Sequence, residues 1–264
     1  MLQFVIGTLY SLLFNYSSRW LTINTKRLQQ IEPGLNAYKV SFDTSILTTL
    51  REMFDASLKA RLNREGYAYL FEGFDQINIQ IMDEDLKFHV TSYGTAPLLW
   101  VSSNNNYTYN LFKSFMDDLG IVDEIKTLVD FDKQVQVYCG FFVVGKGMDR
   151  ETWHKDYRDG ANAYTLITPL FELGQSHGNL MYKDEASNIK IYEYKMNEAV
   201  IFGDGFEHAT QPYAKTDELR VMVSITFGTD KIEYWDTLKQ TIGDQSNYMI
   251  LPCGHEKGTC ECND

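Results

Sequence analysis

Positive charge is scarce in this chain. Its 264 residues carry 24 Lys and Arg against 36 Asp and Glu, a formal net charge of -12. That is the wrong sign for a surface that must neutralise nucleic-acid phosphates or anionic lipid, so neither nucleic acid nor a membrane is expected as a partner. Long apolar runs are scarce as well. The opening MLQFVIGTLYSLLF has the length of a signal-peptide core, but no Lys or Arg precedes it and no clear small-residue cleavage site follows. It is also too short to span a bilayer, and it reads as an N-terminal strand or helix packed on the core. Cysteine is limited to four residues. Cys139 stands in an apolar strand while Cys253, Cys260 and Cys262 crowd the end, which is no disulfide framework for a chain this long. A reducing compartment, the cytoplasm, is expected. No internal repeat or low-complexity linker divides the sequence.

Apolar and aromatic side chains, in contrast, are plentiful. With 44% hydrophobic and 14% aromatic residues the chain can bury one substantial core, although a prior of about 150 residues per domain would permit a second. A single domain over 1–264 is expected: helical and mixed support over 1–131, a β-core over 132–230, and a C-terminal helix with a Cys-rich tail over 231–264. From Thr44 to Asn63, Ile46, Leu47, Leu50, Met53, Phe54, Leu58 and Leu62 recur at three- and four-residue steps, the period of one helical face, with Asp43 or Thr44 as cap. Leu111, Phe112, Phe115, Met116 and Leu119 repeat the pattern after the polar run from Ser102 to Asn106, break at Gly120 and resume toward Leu128. Between them Tyr67 to Tyr93 alternates as strand, with Ile77, Ile79 and Ile81 on one side. Tyr234 to Ile242 predicts one short helix.

After Asp132 the character changes to β-branched and aromatic runs punctuated by Gly and Asn: VQVYCGFFVVG, AYTLITPLFEL, GNLMYK, IKIYEY, EAVIFG and RVMVSITFG. No helical crossover separates them, so they predict an antiparallel sandwich or barrel. The fold class is α+β, mainly β.

At the head of that core stands Trp153-His154-Lys155-Asp156-Tyr157. In an extended chain the side chains of His154 and Asp156 point to one side, so an imidazole and a carboxylate can converge. Alone, His-x-Asp is a weak signal that many surfaces carry by chance. A second imidazole, His208, follows the apolar strand EAVIF at a loop-to-strand junction. Two histidines and one carboxylate on one face of a metal leave the other face open, the arrangement iron(II) needs to take oxygen and a chelating ligand together; a structural zinc is instead closed by four ligands. Beyond His208, Arg220, Met222, Ser224 and Thr226 share one face of a strand. If that face is interior, the guanidinium must meet a carboxylate, either a bound dicarboxylate or a protein acid such as Glu218.

The order His-x-Asp, second His, then Arg on the next strand resembles the 2-oxoglutarate oxygenases of the prolyl-hydroxylase type, over roughly Gln134 to Phe227. AYTLITPLFE resembles that family's core strand, GNLMY its Gly-Gly-x-Leu turn and RVMVSITF its arginine strand. The resemblance implies a double-stranded β-helix, or jelly roll, on N-terminal supporting helices. It implies Fe(II) on His154, Asp156 and His208, and 2-oxoglutarate held through its distal carboxylate by Arg220, with O2 as oxidant and ascorbate as reductant. Many relatives carry Ser or Thr two residues after the arginine, where this chain has Met222. Ser224, Tyr138, Thr165 and Thr168 are the candidates for that second hydroxyl contact. The carboxylate of Asp156 argues against halogenation, because halogenases of the superfamily replace it to admit chloride. Hydroxylation, desaturation or oxidative cyclisation follows.

The substrate is less legible. Lys146, Arg150, Lys155 and Arg158 suit an anionic small molecule, such as an amino acid or natural-product precursor, but Asp149, Glu151 and Asp159 lie among them and equally suit a solvated loop. Trp153, Tyr157, Tyr182 and Tyr213 are candidate pocket walls. A prolyl-type protein hydroxylase and a non-catalytic jelly-roll metal-binding protein are the alternatives. In the tail, Cys253, His255, Cys260 and Cys262 are enough in number for a structural zinc, at unusual spacing; a polar terminus with reactive thiols is the simpler reading.

Overall fold

The β-branched and aromatic runs after Asp132 fold as strands, and strands from the first half of the chain join them. The computed structural model describes residues 27–62, 77–83, 85–92, 98–174, 177–242 and 246–260; the opening apolar run and Cys262 lie outside these. In chain order the strands are β1 (Gln29–Gln30), β2 (Ala37–Ser41), β3 (Ile77–Asp83), β4 (Leu86–Ser92), β5 (Leu98–Ser103) and β6 (Gln136–Gly145). They continue with β7 (Ala163–Pro169), β8 (Leu180–Lys183), β9 (Ile189–Tyr192), β10 (Glu198–Phe202), β11 (His208–Thr210) and β12 (Arg220–Gly228). A major sheet runs β1-β2-β10-β7-β12-β6-β5-β4-β3 and a minor sheet runs β11-β8-β9. Neighbours pair antiparallel throughout. Six of these strands are the six runs read from the sequence. The expected boundary near residue 132 is not a boundary of the sheet, because β5 pairs with β6 and β2 with β10.

Helices cover one face of the major sheet. The first amphipathic stretch is helical over 44–62, opening as a 3₁₀ turn capped by Asp43, whose carboxylate accepts from the Ser45 N–H at 2.9 Å, and widening to a π turn at Phe54–Lys59. The second helix, Asn106–Asp118, begins earlier than its apolar period suggests. Part of the polar run before it is the cap: the Asn105 side chain accepts from the Thr108 N–H at 3.0 Å, and the Thr108 hydroxyl answers the Asn105 backbone. Gly120, at φ +61°, ends it, and Val122–Ile125 resumes as a single turn. Trp235–Ile242 forms the short C-terminal helix. Among the described residues no helix is long and apolar enough to cross a membrane.

Strand alternation gives the major sheet two chemically distinct faces. Phe142, Val144, Leu166, Val221, Val223, Ile225 and Phe227 pack with the helices in the largest apolar cluster. Phe54 and Phe112 meet Phe142 with ring centres 5.3 and 5.1 Å away. The opposite face carries Leu98, Trp100, Phe141, Val143, Thr165, Ile167, Arg220, Ser224 and Thr226 and lines a cavity that the minor sheet also borders. Ala37, Val200 and Phe202 of the major sheet join Leu180 and Tyr182 of the minor sheet in a cluster that ties the two together.

Gly140 lets the helix Asn106–Asp118 approach β6. A Cβ there would lie 2.4 Å from both Cβ and Cγ of Phe112, far inside contact distance. We expect Gly140→Ala to lower unfolding free energy by about 1–3 kcal/mol, the usual cost of overpacking a core, measured as a lower urea midpoint with unchanged slope. Stability equal to wild type would show that the helix is not clamped there.

Candidate metal centre

His154 and His208 are far apart in sequence and are joined by backbone pairing. The His154 N–H donates to the His208 carbonyl at 3.0 Å and the His208 N–H returns the bond at 2.9 Å, an antiparallel bridge on the outer side of β11. The bridge sets the two imidazoles side by side, ring centres 4.3 Å apart. Asp156, two residues beyond His154 on extended chain, turns to the same side. Its Oδ1 lies 3.5 Å from His154 Nε2 and 3.6 Å from His208 Nε2. One ligand atom from each of the three residues falls within 4.8 Å of the others.

The opposite ring nitrogens settle the tautomers. His154 Nδ1 sits 2.9 Å from the Thr152 carbonyl and His208 Nδ1 3.2 Å from the Phe206 carbonyl. A carbonyl only accepts, so each Nδ1 carries the proton and, in the neutral ring, each Nε2 presents a lone pair toward the carboxylate. Such carbonyl-fixed imidazoles are the usual support of metal-ligating histidines. Burial depresses the His208 pKa and His154 adds to that, so His208 is held neutral despite the pull of Asp156. The hydrogen bond to Asp156 raises His154, which is half exposed. Burial would raise Asp156, but the His208 and His154 imidazoles and the Thr165 hydroxyl outweigh it and hold the carboxyl down at about 2. With both rings neutral, two lone pairs and an anionic oxygen face one another and repel; a proton on His154 Nε2 or a cation between the three relieves it. This donor set fits a divalent metal of the kind that takes nitrogen and oxygen ligands.

Thr165 fixes the carboxylate. Its hydroxyl donates to Asp156 Oδ2 at 2.5 Å and, with that proton committed, accepts from the Tyr157 hydroxyl at 2.9 Å. Asp156 Oδ1 stays turned to the histidines. Phe202 and Phe206 brace the His208 ring, with centres 4.5 and 5.6 Å from it.

The triad opens onto a cavity of about 500 Å³ whose walls also include Arg220, Ser224, Thr226, Tyr194, Trp100, Phe141 and, from the C-terminal helix, Gln240, Thr241 and Ile242. Arg220 is only 2% exposed. Its Nε donates to the Gly178 carbonyl at 3.1 Å and its guanidinium lies 5.6 Å from the centre of the Tyr194 ring. Among the described residues no carboxylate forms an ion pair with it, and Glu218, the acid suggested by the sequence, is exposed.

Four candidate hydroxyls separate here. Ser224 faces the cavity beside Arg220, and Thr165 faces it but is engaged with Asp156. Thr168 is corrected: three residues past Thr165 it points to the opposite side of β7, where its hydroxyl donates to the Glu198 carbonyl at 3.0 Å. Tyr138 is corrected too. The pairing of β6 with β12 slips between Thr226 and Phe227, opposite Cys139 and Val137, which leaves Tyr138 as the extra residue of a bulge. Its ring stacks on Trp235 and its hydroxyl donates to the Thr229 carbonyl, away from the cavity. Of the four loop cations only Lys155 borders the cavity, and of the four candidate aromatic walls only Tyr157 does. Trp100, Tyr194 and Phe202 take their place. Tyr194 had no signal in the sequence beyond ending the run IKIYEY.

No protein-family model matches this chain, and no curated protein does. Solved structures that it resembles include a prolyl-4-hydroxylase from Pseudomonas putida, at 14% identity over 74% of this chain and 94% of that one, with a TM-score of 0.45. HygX from Streptomyces hygroscopicus, solved with iron bound, is 8% identical over 74% of this chain and 82% of its own, with a TM-score of 0.48. A viral collagen prolyl hydroxylase from Paramecium Bursaria Chlorella virus-1, solved as a 2OG complex, is 11% identical over 75% and 98%, with a TM-score of 0.44.

Removing the hydroxyl that orients Asp156 tests the geometry without touching a metal donor. Thr165→Val should leave the fold intact by circular dichroism and weaken Fe(II) binding by about 10–100-fold, the usual effect of losing an outer partner of a ligand. Unaltered affinity would mean that Asp156 is oriented by something else.

Proposed function

We propose that this chain is a non-haem Fe(II), 2-oxoglutarate-dependent oxygenase acting on a small, anionic metabolite. The observation that carries the reading is Arg220: a guanidinium buried in the wall of the triad's own cavity, with no acid paired to it among the described residues. An uncompensated buried cation costs several kcal/mol, and a bidentate carboxylate from a bound dicarboxylate is the partner that its planar fork matches. Two imidazoles and one carboxylate would hold the iron on one face and leave the face toward the cavity for the keto acid and oxygen.

When bound there, iron and 2-oxoglutarate supply oxidising chemistry, in which oxygen converts the keto acid to succinate and carbon dioxide and oxidises a substrate C–H bond. The chain's own part is placement. His154, Asp156 and His208 set the metal, with Thr165 and the Thr152 and Phe206 carbonyls keeping each donor in its orientation. Arg220 orients the distal carboxylate, with Ser224 as the nearby hydroxyl on the same strand face. Trp100, Phe141 and Phe202 exclude water. Lys155 at the cavity wall is the charge for an anionic substrate. We assign the two sheets to a single jelly-roll domain, because after β6 the chain alternates between them: β7 in the major sheet, β8 and β9 in the minor, β10 back, β11 across, β12 back.

Anaerobic titration of Fe(II) and 2-oxoglutarate into apo protein is the direct test. We expect the weak visible charge-transfer band of a chelated keto acid in the wild type. In Arg220→Ala metal binding should persist while 2-oxoglutarate affinity falls at least tenfold. Folded, metal-loaded wild type that shows no band would overturn the oxygenase reading and leave a jelly-roll metal-binding protein. Succinate release with peptides but not with small anionic metabolites would replace the substrate class by a protein hydroxylase.

A further inference from the structure

Outside the cavity, the described residues hold one other group of potential metal ligands. Cys253, His255 and Cys260, in the loop after the C-terminal helix, each place a ligand atom within 4.8 Å of the other two. We propose that this loop is a structural zinc site, separate in position and in ligand chemistry from the His154, Asp156 and His208 centre.

The backbone is folded to bring these donors together. After Leu251 the chain turns back on itself, the Leu251 N–H donating to the His255 carbonyl at 2.8 Å and the Lys257 N–H to the Met249 carbonyl at 3.0 Å. Gly254, at φ +85°, makes that turn and places Cys253 and His255 on its two sides. A second turn at Gly258, φ +80°, returns Cys260 to Cys253. The two sulfurs stand 3.5 Å apart. A disulfide requires about 2.05 Å. Two thiolates on one tetrahedral zinc, at about 2.3 Å each, stand roughly 3.8 Å from one another, so the observed separation needs only a few tenths of an ångström of adjustment. Two turns with glycines in the left-handed region, converging on two sulfurs and an imidazole, make a metal knuckle. Of the four ligands a closed zinc site takes, the described residues supply these three; Cys262 follows in the sequence, outside the described residues.

The donor sets also sort the metals. Thiolates favour zinc over iron(II), whereas imidazole with carboxylate accepts iron(II) as well as zinc, so the sulfur ligands mark the loop as the zinc-preferring centre. Binding requires each thiol to give up its proton to solvent, with no change of oxidation state. The loop has reason to need a staple. Met249 and Leu251 are its fully buried apolar side chains, and Cys253 and Cys260 lie half-buried against the cluster that contains Trp235, Leu238 and Ile242. The helix those residues belong to lends Gln240, Thr241 and Ile242 to the cavity wall. Zinc would hold that wall in place from behind.

Cobalt(II) distinguishes the two centres, because only the loop contains sulfur. Full-length reduced protein loaded with Co(II) should show sulfur-to-cobalt charge transfer and the intense visible bands of a tetrahedral site. Both should persist in the His154→Ala/His208→Ala variant and vanish in Cys253→Ser/Cys260→Ser. Zinc by mass spectrometry should read close to one per chain in the histidine variant and fall at least tenfold when the cysteines are also replaced. Folded, reduced protein that binds no zinc and shows no sulfur-to-cobalt band would overturn the proposal, as would a Cys253–Cys260 disulfide that forms in the presence of zinc. Because these readouts survive loss of the histidines, their failure is distinct from failure of the oxygenase reading.

Discussion

Two backbone hydrogen bonds between His154 and His208 are what the rest of the site depends on. Neither side chain could find the other on its own account: one begins a short strand of the minor sheet, the other sits in the loop between β6 and β7. Once the bridge closes, the imidazoles lie together, and Asp156 follows because an extended chain returns to the same side after two residues. The consequence is electrostatic. With both rings neutral, two ring nitrogens whose protons have been drawn to backbone carbonyls face an ionised carboxylate, and only a proton on His154, whose pKa Asp156 raises, or a bound cation offsets that repulsion. The arrangement fits a receptacle for a cation, and the bonds from Thr165 and to the carbonyls of Thr152 and Phe206 keep the three donors turned toward one another.

The second constraint is the two-residue period of β12. Alternate residues go to the helices as Val221, Val223, Ile225 and Phe227, and to the cavity side as Arg220, Met222, Ser224 and Thr226. The apolar set locks the strand in the middle of the major sheet, between β6 and β7. That rigidity is what permits a guanidinium to be buried on the other side. A flexible loop would let Arg220 escape to water; a central strand holds it in the cavity wall, against the Gly178 carbonyl and the Tyr194 ring. Stability on one face and chemistry on the other are thus parts of one strand's pattern. The glycine at 140 completes the supporting side by letting Phe112 lie directly on β6.

The helices were legible because their apolar residues recur within a few positions. That His154, Asp156, His208 and Arg220 converge on one cavity was legible only from their combination, since each lies on extended chain where neighbouring spacing fixes direction. Thr168 could have been set aside by the same rule, because it stands an odd number of residues from Thr165 and must face the other way. Tyr138 could not, since the bulge that turns it aside exists only in the pairing of β6 with β12. The N-terminal strands gave little sign that they extend the major sheet at both ends.

What the amino-acid sequence by itself determined is local: the helix and strand periods, the caps and breaks, the order of metal-ligating residue types, and the one cation on a face otherwise apolar or hydroxylic. Tertiary structure alone decided which histidine tautomers are present, which hydroxyl orients Asp156, that Arg220 meets Tyr194 and no acid among the described residues, and that Lys155 is the loop cation at the cavity wall. The physical reason is that periodicity is written in neighbouring residues. Hydrogen-bond registers between distant strands, and the cavity left where two sheets fail to touch, belong to no segment of the chain until all of them are in place.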